Sequence, residues 1–114
     1  MKREEKKSDV PYGTLDLLIL KSLEAMGPMH GYRVARRLEQ VSGNLLTMNQ
    51  GSVYPALVRL EQNGWISTSW GVSETNRRVK VYALTKSGRS QLAVEIERWR
   101  LANELVDRFL AMSS

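Results

Sequence analysis

The sequence predicts a mainly α fold with one small β-hairpin (α+β): a winged helix-turn-helix domain followed by a long C-terminal helix. Three observations carry that expectation. Apolar residues recur at helical spacing in three successive short stretches before Gly64. The period then changes to two segments rich in β-branched and aromatic residues, Trp65 to Trp70 and Val79 to Leu84. A helical pattern resumes after Thr85 and runs to about Met112. The 114 residues suit one compact domain with an appendage. The expected division is a basic, aperiodic arm at 1–11, a winged-helix domain at 12–85 and a dimerisation helix at 86–114.

Thr14 is a suitable cap for the first helix, and Asp16 suits the positive end of its dipole. Leu15, Leu18, Ile19, Leu23 and Met26 form one face, while Leu17 and Leu20 fall on the other. A helix apolar almost all round needs cover on two sides, and the second cover is expected from another subunit. Gly27-Pro28 ends it. In the second helix Tyr32, Val34, Ala35, Leu38 and Val41 are expected inward, with Arg33, Arg36, Arg37 and Glu39 outside; Ser42-Gly43-Asn44 stops it. A link from Leu45 to Met48 leads to Asn49, a good cap for a third helix that points Val53, Tyr54, Leu57 and Leu60 inward and stops at Gly64. Pro55 in its first two turns is expected to cost little, because early helical N–H groups lack partners. Between the β segments, Gly71 to Asn76 reads as a long polar hairpin tip, and Thr85 caps the last helix.

Composition excludes several chemistries. There is no cysteine and a single histidine, His30, so thiolate chemistry and a multi-histidine metal site within one chain are excluded. His30 is expected to cap or pack at the start of the second helix. No cofactor is implied, and neither a nucleophile–base pair nor a phosphate-cradling glycine motif in proper context is present. The longest aliphatic run, Leu17 to Leu20, is too short for a membrane span and the N-terminus is too polar for a signal peptide, so a cytoplasmic protein is expected. Lys plus Arg total 17 against 12 acids, a net charge of +5. Such a balance suits phosphate neutralisation, although a basic surface also serves solubility alone.

Several stretches resemble the PadR family of bacterial transcriptional regulators, in the small subgroup with a single C-terminal helix. They are Gly13 to Leu20, Gly27 to Tyr32, Asn49 to Leu57, Arg59 to Glu61, Gly64 to Ile66, Trp70-Gly71, Asn76 to Arg78 and Tyr82 to Thr85. The resemblance runs from about Tyr12 to Trp99. It implies a homodimeric repressor bound to double-stranded DNA, nucleoid-associated in a bacterium and often released by a small molecule.

In such a protein the third helix enters the major groove by its N-terminus. Asn49, Gln50 and Ser52 stand there: Gln pairs bidentately with adenine, and Ser reaches phosphate. Asn49 can equally act as a cap, and Ser52 as an ordinary first-turn residue. Tyr54 is core by spacing, whereas the resemblance brings its hydroxyl to the DNA backbone. Arg59 either reaches a flanking phosphate or pairs with Glu61 or Glu39. Arg77, Arg78 and Lys80 on the hairpin suit phosphate or minor-groove contact, although a charged strand edge also protects against aggregation.

On the last helix Leu92, Ile96, Trp99, Val106 and Leu110 follow a heptad line with Asn103 in the intervening position, widened by Leu101, Leu105 and Phe109. With Leu17 and Leu20 of the first helix, these form the expected dimer surface. Trp99 either fills the seam or, as the resemblance to multidrug-responsive members implies, stacks on a planar aromatic effector. A winged helix serving as a protein–protein adaptor is the competing function, and Arg77, Arg78 and Lys80 beside Gln50 and Ser52 argue against it.

Overall fold

The computed structural model describes residues 14–43 and 50–113. Four helices and a small antiparallel sheet follow in the order α1 (Thr14–Met26), β1 (Met29–His30), α2 (Gly31–Val41), α3 (Gln50–Gln62), β2 (Ile66–Val72), β3 (Arg78–Leu84) and α4 (Lys86–Leu110). The basic arm, the link from Leu45 to Met48, and Asn49 lie outside the described residues.

α1 sits at the centre, packed by α2, α3, α4 and β3. Its apolar circumference is therefore covered largely by its own chain: Ile19, Leu20 and Leu23 are buried, and Leu15, Leu17 and Leu18 pack against the same core. This corrects the expectation that Leu20 faces a second subunit, since it is fully buried within the protomer. Val34, Ala35 and Leu38 of α2 meet Val53, Ala56, Leu57 and Leu60 of α3 in that core. Each Leu or Ile buried there contributes about 1.5–3 kcal/mol. Tyr32 and Val41, expected inward, are exposed, because the buried face of α2 is narrower than its apolar face.

The stops act as their residue types require. Gly27, Gly43 and Gly64 all take positive φ (86°, 67° and 79°), a conformation that ends a helix without a Cβ clash. His30 caps α2 by accepting a hydrogen bond from the Arg33 backbone N–H at 3.3 Å. Thr85 caps α4 likewise, accepting from the Gly88 N–H at 2.9 Å. Pro55 corrects an expectation. It is the sixth residue of α3, beyond the four donors that lack partners, so it does remove one helical hydrogen bond.

The sheet has the order β1-β3-β2. β1 went unpredicted; it pairs Met29 with Tyr82 and His30 with Val81. The hairpin runs longer, and its tip shorter, than expected, because Gly71 and Val72 continue the ladder opposite Val79 and Arg78. Ser73 and Arg77 close the tip: the Ser73 N–H donates to the Arg77 carbonyl at 2.8 Å, and the Arg77 N–H donates to Ser73 Oγ at 3.2 Å. Asn76 takes the left-handed conformation (φ 63°) that a three-residue loop demands, and Asn tolerates it.

Candidate nucleic-acid interface

Three elements converge on one groove. α3 brings Tyr54 and Val58, the root of α2 brings His30 and Tyr32, and the hairpin brings Trp70, Arg78 and Lys80, among other residues. The groove holds about 840 Å³. Its walls combine aromatic faces with cations, the combination that backbone tracking and base contact both use.

The groove-facing pattern follows from strand alternation. Arg78, Lys80 and Tyr82 share one face of β3, and Trp70 lies directly opposite Lys80. Arg78 reaches diagonally over the Trp70 indole, 4.2 Å from its centroid. Such a contact at an exposed site contributes about 0.5–1 kcal/mol, which favours this placement of the guanidinium over the indole. Arg77, at the tip, and Lys80 are also exposed.

Deeper in the groove Tyr82 is buried, and burial pushes its phenol above the ordinary tyrosine range, with the Glu61 carboxylate adding to the effect. Glu61 also accepts a hydrogen bond from Thr68 Oγ1 at 3.2 Å, joining the end of α3 to the hairpin root. Tyr54 rests over Gly31: a Cβ there would stand 2.5 Å from the Tyr54 ring, so glycine lets the two helices approach. Tyr54, a core residue by spacing, is thus partly exposed in the groove wall.

Arg59 has a partner that neither expectation named. It bridges α3 to α1 through both oxygens of Asp16, with Nη2 donating to Oδ1 and Nε to Oδ2 at 3.4 Å. A planar guanidinium meeting a carboxylate side-on fixes angle as well as distance, so the pair sets how α3 lies on α1. Gln50 and Ser52 stand in the first turn of α3, and their side chains lie outside the described residues.

The profile of the transcriptional regulator PadR-like family matches residues 19–94, spanning α1 to the first part of α4. The chain belongs to the PadR-like family. Solved structures agree with that placement. A transcriptional regulator from Clostridium thermocellum is 29% identical, with a TM-score of 0.77 over 85% of this chain and 90% of its own. A PadR family transcription regulator from hypervirulent Clostridium difficile is 29% identical, with a TM-score of 0.71 over 85% and 98%. A probable transcriptional regulator of Mycobacterium tuberculosis is 33% identical over 69 residues, 60% of this chain but 34% of that protein. Members of the PadR-like family are DNA-binding transcriptional regulators, not enzymes. Among the described residues no helix is long and apolar enough to cross a membrane.

The PadR-like chain also presents a second surface. Trp99, Leu101, Leu105, Val106, Phe109 and Leu110 of α4 are exposed. Leu92, expected on the same surface, is buried, and Ile96 packs against the core, because the start of α4 lies on α1. Leu92 therefore joins Leu20 as a correction: both complete the protomer's own core.

Proposed function

We propose that this PadR-like regulator is a homodimeric repressor acting on a pseudo-palindromic operator. The observation that carries the dimer is the continuity of one apolar line along α4. Leu92 and Ile96 begin it against α1, and Trp99, Val106 and Leu110 extend it into solvent. At 100° per residue all five fall within about 80° of arc. A lone helix with that stripe exposed needs a partner, and a second copy supplies the same stripe. Asn103 lies on the line too, where a polar residue can fix register.

With two protomers about a two-fold axis, each α3 presents its N-terminus to a major-groove half-site about 34 Å from the other. Gln50 and Ser52, with Asn49 before them, then address bases and phosphate. Tyr54 approaches the backbone from the groove wall, and Arg77, Arg78 and Lys80 track phosphates. Arg59 has the supporting role of orienting α3 through Asp16. The exposed indole of Trp99 stacks on a planar aromatic effector held between protomers, whose binding releases the DNA.

Light scattering on the intact chain and on Val106→Glu tests the dimer. The wild type is expected at twice the chain mass at micromolar concentration, and the variant at the chain mass. A monomeric wild type would sink the proposal. Selection of genomic fragments by the purified protein identifies the operator, and Gln50→Ala is expected to relax base preference there. Ethidium titration followed by tryptophan emission, with Trp99→Phe as comparison, tests the effector site. Equal quenching in both proteins would remove it.

A further inference from the structure

Tyr54, Val58 and Glu61 recur at spacings of four and three along α3, so they fall within about 60° of arc and face the hairpin together. On the hairpin, the Ser73 N–H donates to the Arg77 carbonyl at one end and the Thr85 N–H to the Trp65 carbonyl at the other, which fixes the alternation of the ladder between them. Thr68 and Tyr82 are therefore a non-hydrogen-bonded pair, the kind whose side chains stand closest. Glu61 meets that pair. Its Oε2 accepts from Thr68 Oγ1 at 3.2 Å, and its charge is felt at the Tyr82 phenol. Tyr82 and Tyr54 line the groove, whereas Glu61 and Thr68, both half-buried, lie outside its lining at the vertex where α3 and the hairpin meet. A carboxylate is an unexpected group to keep at the root of a phosphate-binding face, because it repels phosphate there. A neutral side chain would serve packing as well.

We infer that Glu61 is a positioning residue for DNA recognition: by holding Thr68 beside Tyr82, it fixes the angle between α3 and the hairpin, and so the register in which both meet one half-site. The inference rests on the reading of α3 and the hairpin as the DNA face. Leverage makes the angle matter. From Glu61 back to Gln50 is eleven residues, about 16 Å of helix. From Thr68 to the tip at Ser73 is five residues, about 17 Å of strand. A change of about 10° at the vertex therefore moves the tip by about 3 Å relative to the reading end of α3, close to the spacing of about 3.4 Å per phosphate along one strand. The turn through Gly64 fixes where the two elements join, since the Trp65 N–H donates to the Leu60 carbonyl at 3.0 Å. A turn alone leaves the angle soft, and the bond from Thr68 to Glu61 closes the triangle across it. A carboxylate is a stronger acceptor than a neutral group, and this offsets the repulsion its charge brings.

The test is a fluorescence-anisotropy titration of the intact protein against its selected duplex and a scrambled duplex of the same composition. Thr68→Val removes the donor without changing charge, and Glu61→Leu removes the acceptor. Each is expected to lower the ratio of specific to scrambled affinity roughly three- to tenfold, the range that loss of one such hydrogen bond spans. The double variant should fall no further, because either change breaks the same bond. Glu61→Gln keeps a carbonyl acceptor while losing the charge, so it should tighten both duplexes alike and rescue most of the ratio. A fall in ratio for Glu61→Gln as large as for Glu61→Leu would show that the carboxylate acts through its charge and would overturn the proposal. An unchanged ratio in Thr68→Val would overturn it too. The same titrations in a chain carrying Arg77→Gln, Arg78→Gln and Lys80→Gln separate the positioning role from the DNA face it depends on. If those cations contribute to binding, yet Thr68→Val shifts the ratio equally with and without them, Glu61 does not act through the hairpin, and the positioning role fails while the face stands. If the triple variant binds as the wild type does, the face itself fails. Thermal unfolding beside each titration gives the folded fraction; partial unfolding lowers both affinities together and leaves their ratio unmoved.

Discussion

Gly88 is where α4 leaves the hairpin, and its replacement by alanine tests whether that junction is as tight as it looks. A Cβ on Gly88 would stand 2.0 Å from the Trp65 carbonyl oxygen, 2.9 Å from the Trp65 carbonyl carbon and 2.7 Å from Leu84 Cδ1. Ordinary contact begins at 3.4 Å, so the helix and the turn must separate by about 1.4 Å. Leu84 can rotate away. The Trp65 carbonyl cannot, because it already accepts from the Thr85 N–H at 3.0 Å, while Thr85 Oγ1 donates to the neighbouring Gly64 carbonyl at 2.7 Å. Overpacking costs about 1–3 kcal/mol in general, and backbone on the receiving side puts this site at the upper end. Alanine's better helix propensity returns about 1 kcal/mol. The net loss is about 2 kcal/mol, equivalent to a fall in melting temperature of about 8 °C for a domain of this size. Differential scanning calorimetry at matched protein concentration measures it. A melting temperature equal to or above the wild type's would show that α4 is not pinned at this turn and that the reasoning fails.

Other outcomes follow from single contacts. Gly31→Ala is expected to displace the Tyr54 ring, weakening DNA binding more than stability, as read by anisotropy beside thermal unfolding. Asp16→Asn removes the negative charge facing the Arg59 guanidinium from α1 and should cost about 1 kcal/mol, or about 4 °C, by calorimetry; the pair is partly exposed, so a larger loss would point to a rearranged α3. The wild type should lose stability to alkali faster than Tyr82→Phe above about pH 10. The unfolded chain ionises that phenol at its ordinary value, whereas burial keeps the folded one protonated, so the native state's advantage shrinks as pH rises. Parallel denaturation curves for the two proteins between pH 9 and pH 11 would contradict this.

Local signals in the sequence carried most of the elements. Thr85, His30 and Gly64 act as caps and stops because capping depends on neighbours within four residues. What the sequence withheld is long-range or partner-dependent. Asp16 and Arg59 lie 43 residues apart, and nothing local distinguishes that acid from Glu61 or Glu39. Leu20 and Leu92 show the limit of periodicity: it identifies a helix face but not whether the same chain or a second one covers it. β1 is two residues long, too short for any period to register. Gly71 and Val72 sit among turn-forming residues, and only pairing with Val79 and Arg78 makes them strand. Tyr54 was legible as a divided case, and the structure divides it, with its ring over Gly31 and its exposed part in the groove wall.

The alternation along β3 constrains how this hairpin can change length over evolution. Arg78, Lys80 and Tyr82 share the groove side, while Val81 lines a hollow on the opposite side with Pro28 and Met29. Inserting one residue after Tyr82 would leave the root in place but turn Arg78 and Lys80 away from the groove and bring Val81 toward it. Inserting two would restore the faces and push the tip outward by about 7 Å. Viable lengthening therefore proceeds in even steps, matched on β2, because the tip from Ser73 to Arg77 closes with a fixed geometry. Reach across the DNA is in this sense a discrete variable: descendants of this chain can have a short hairpin or a longer one, but not one of intermediate parity.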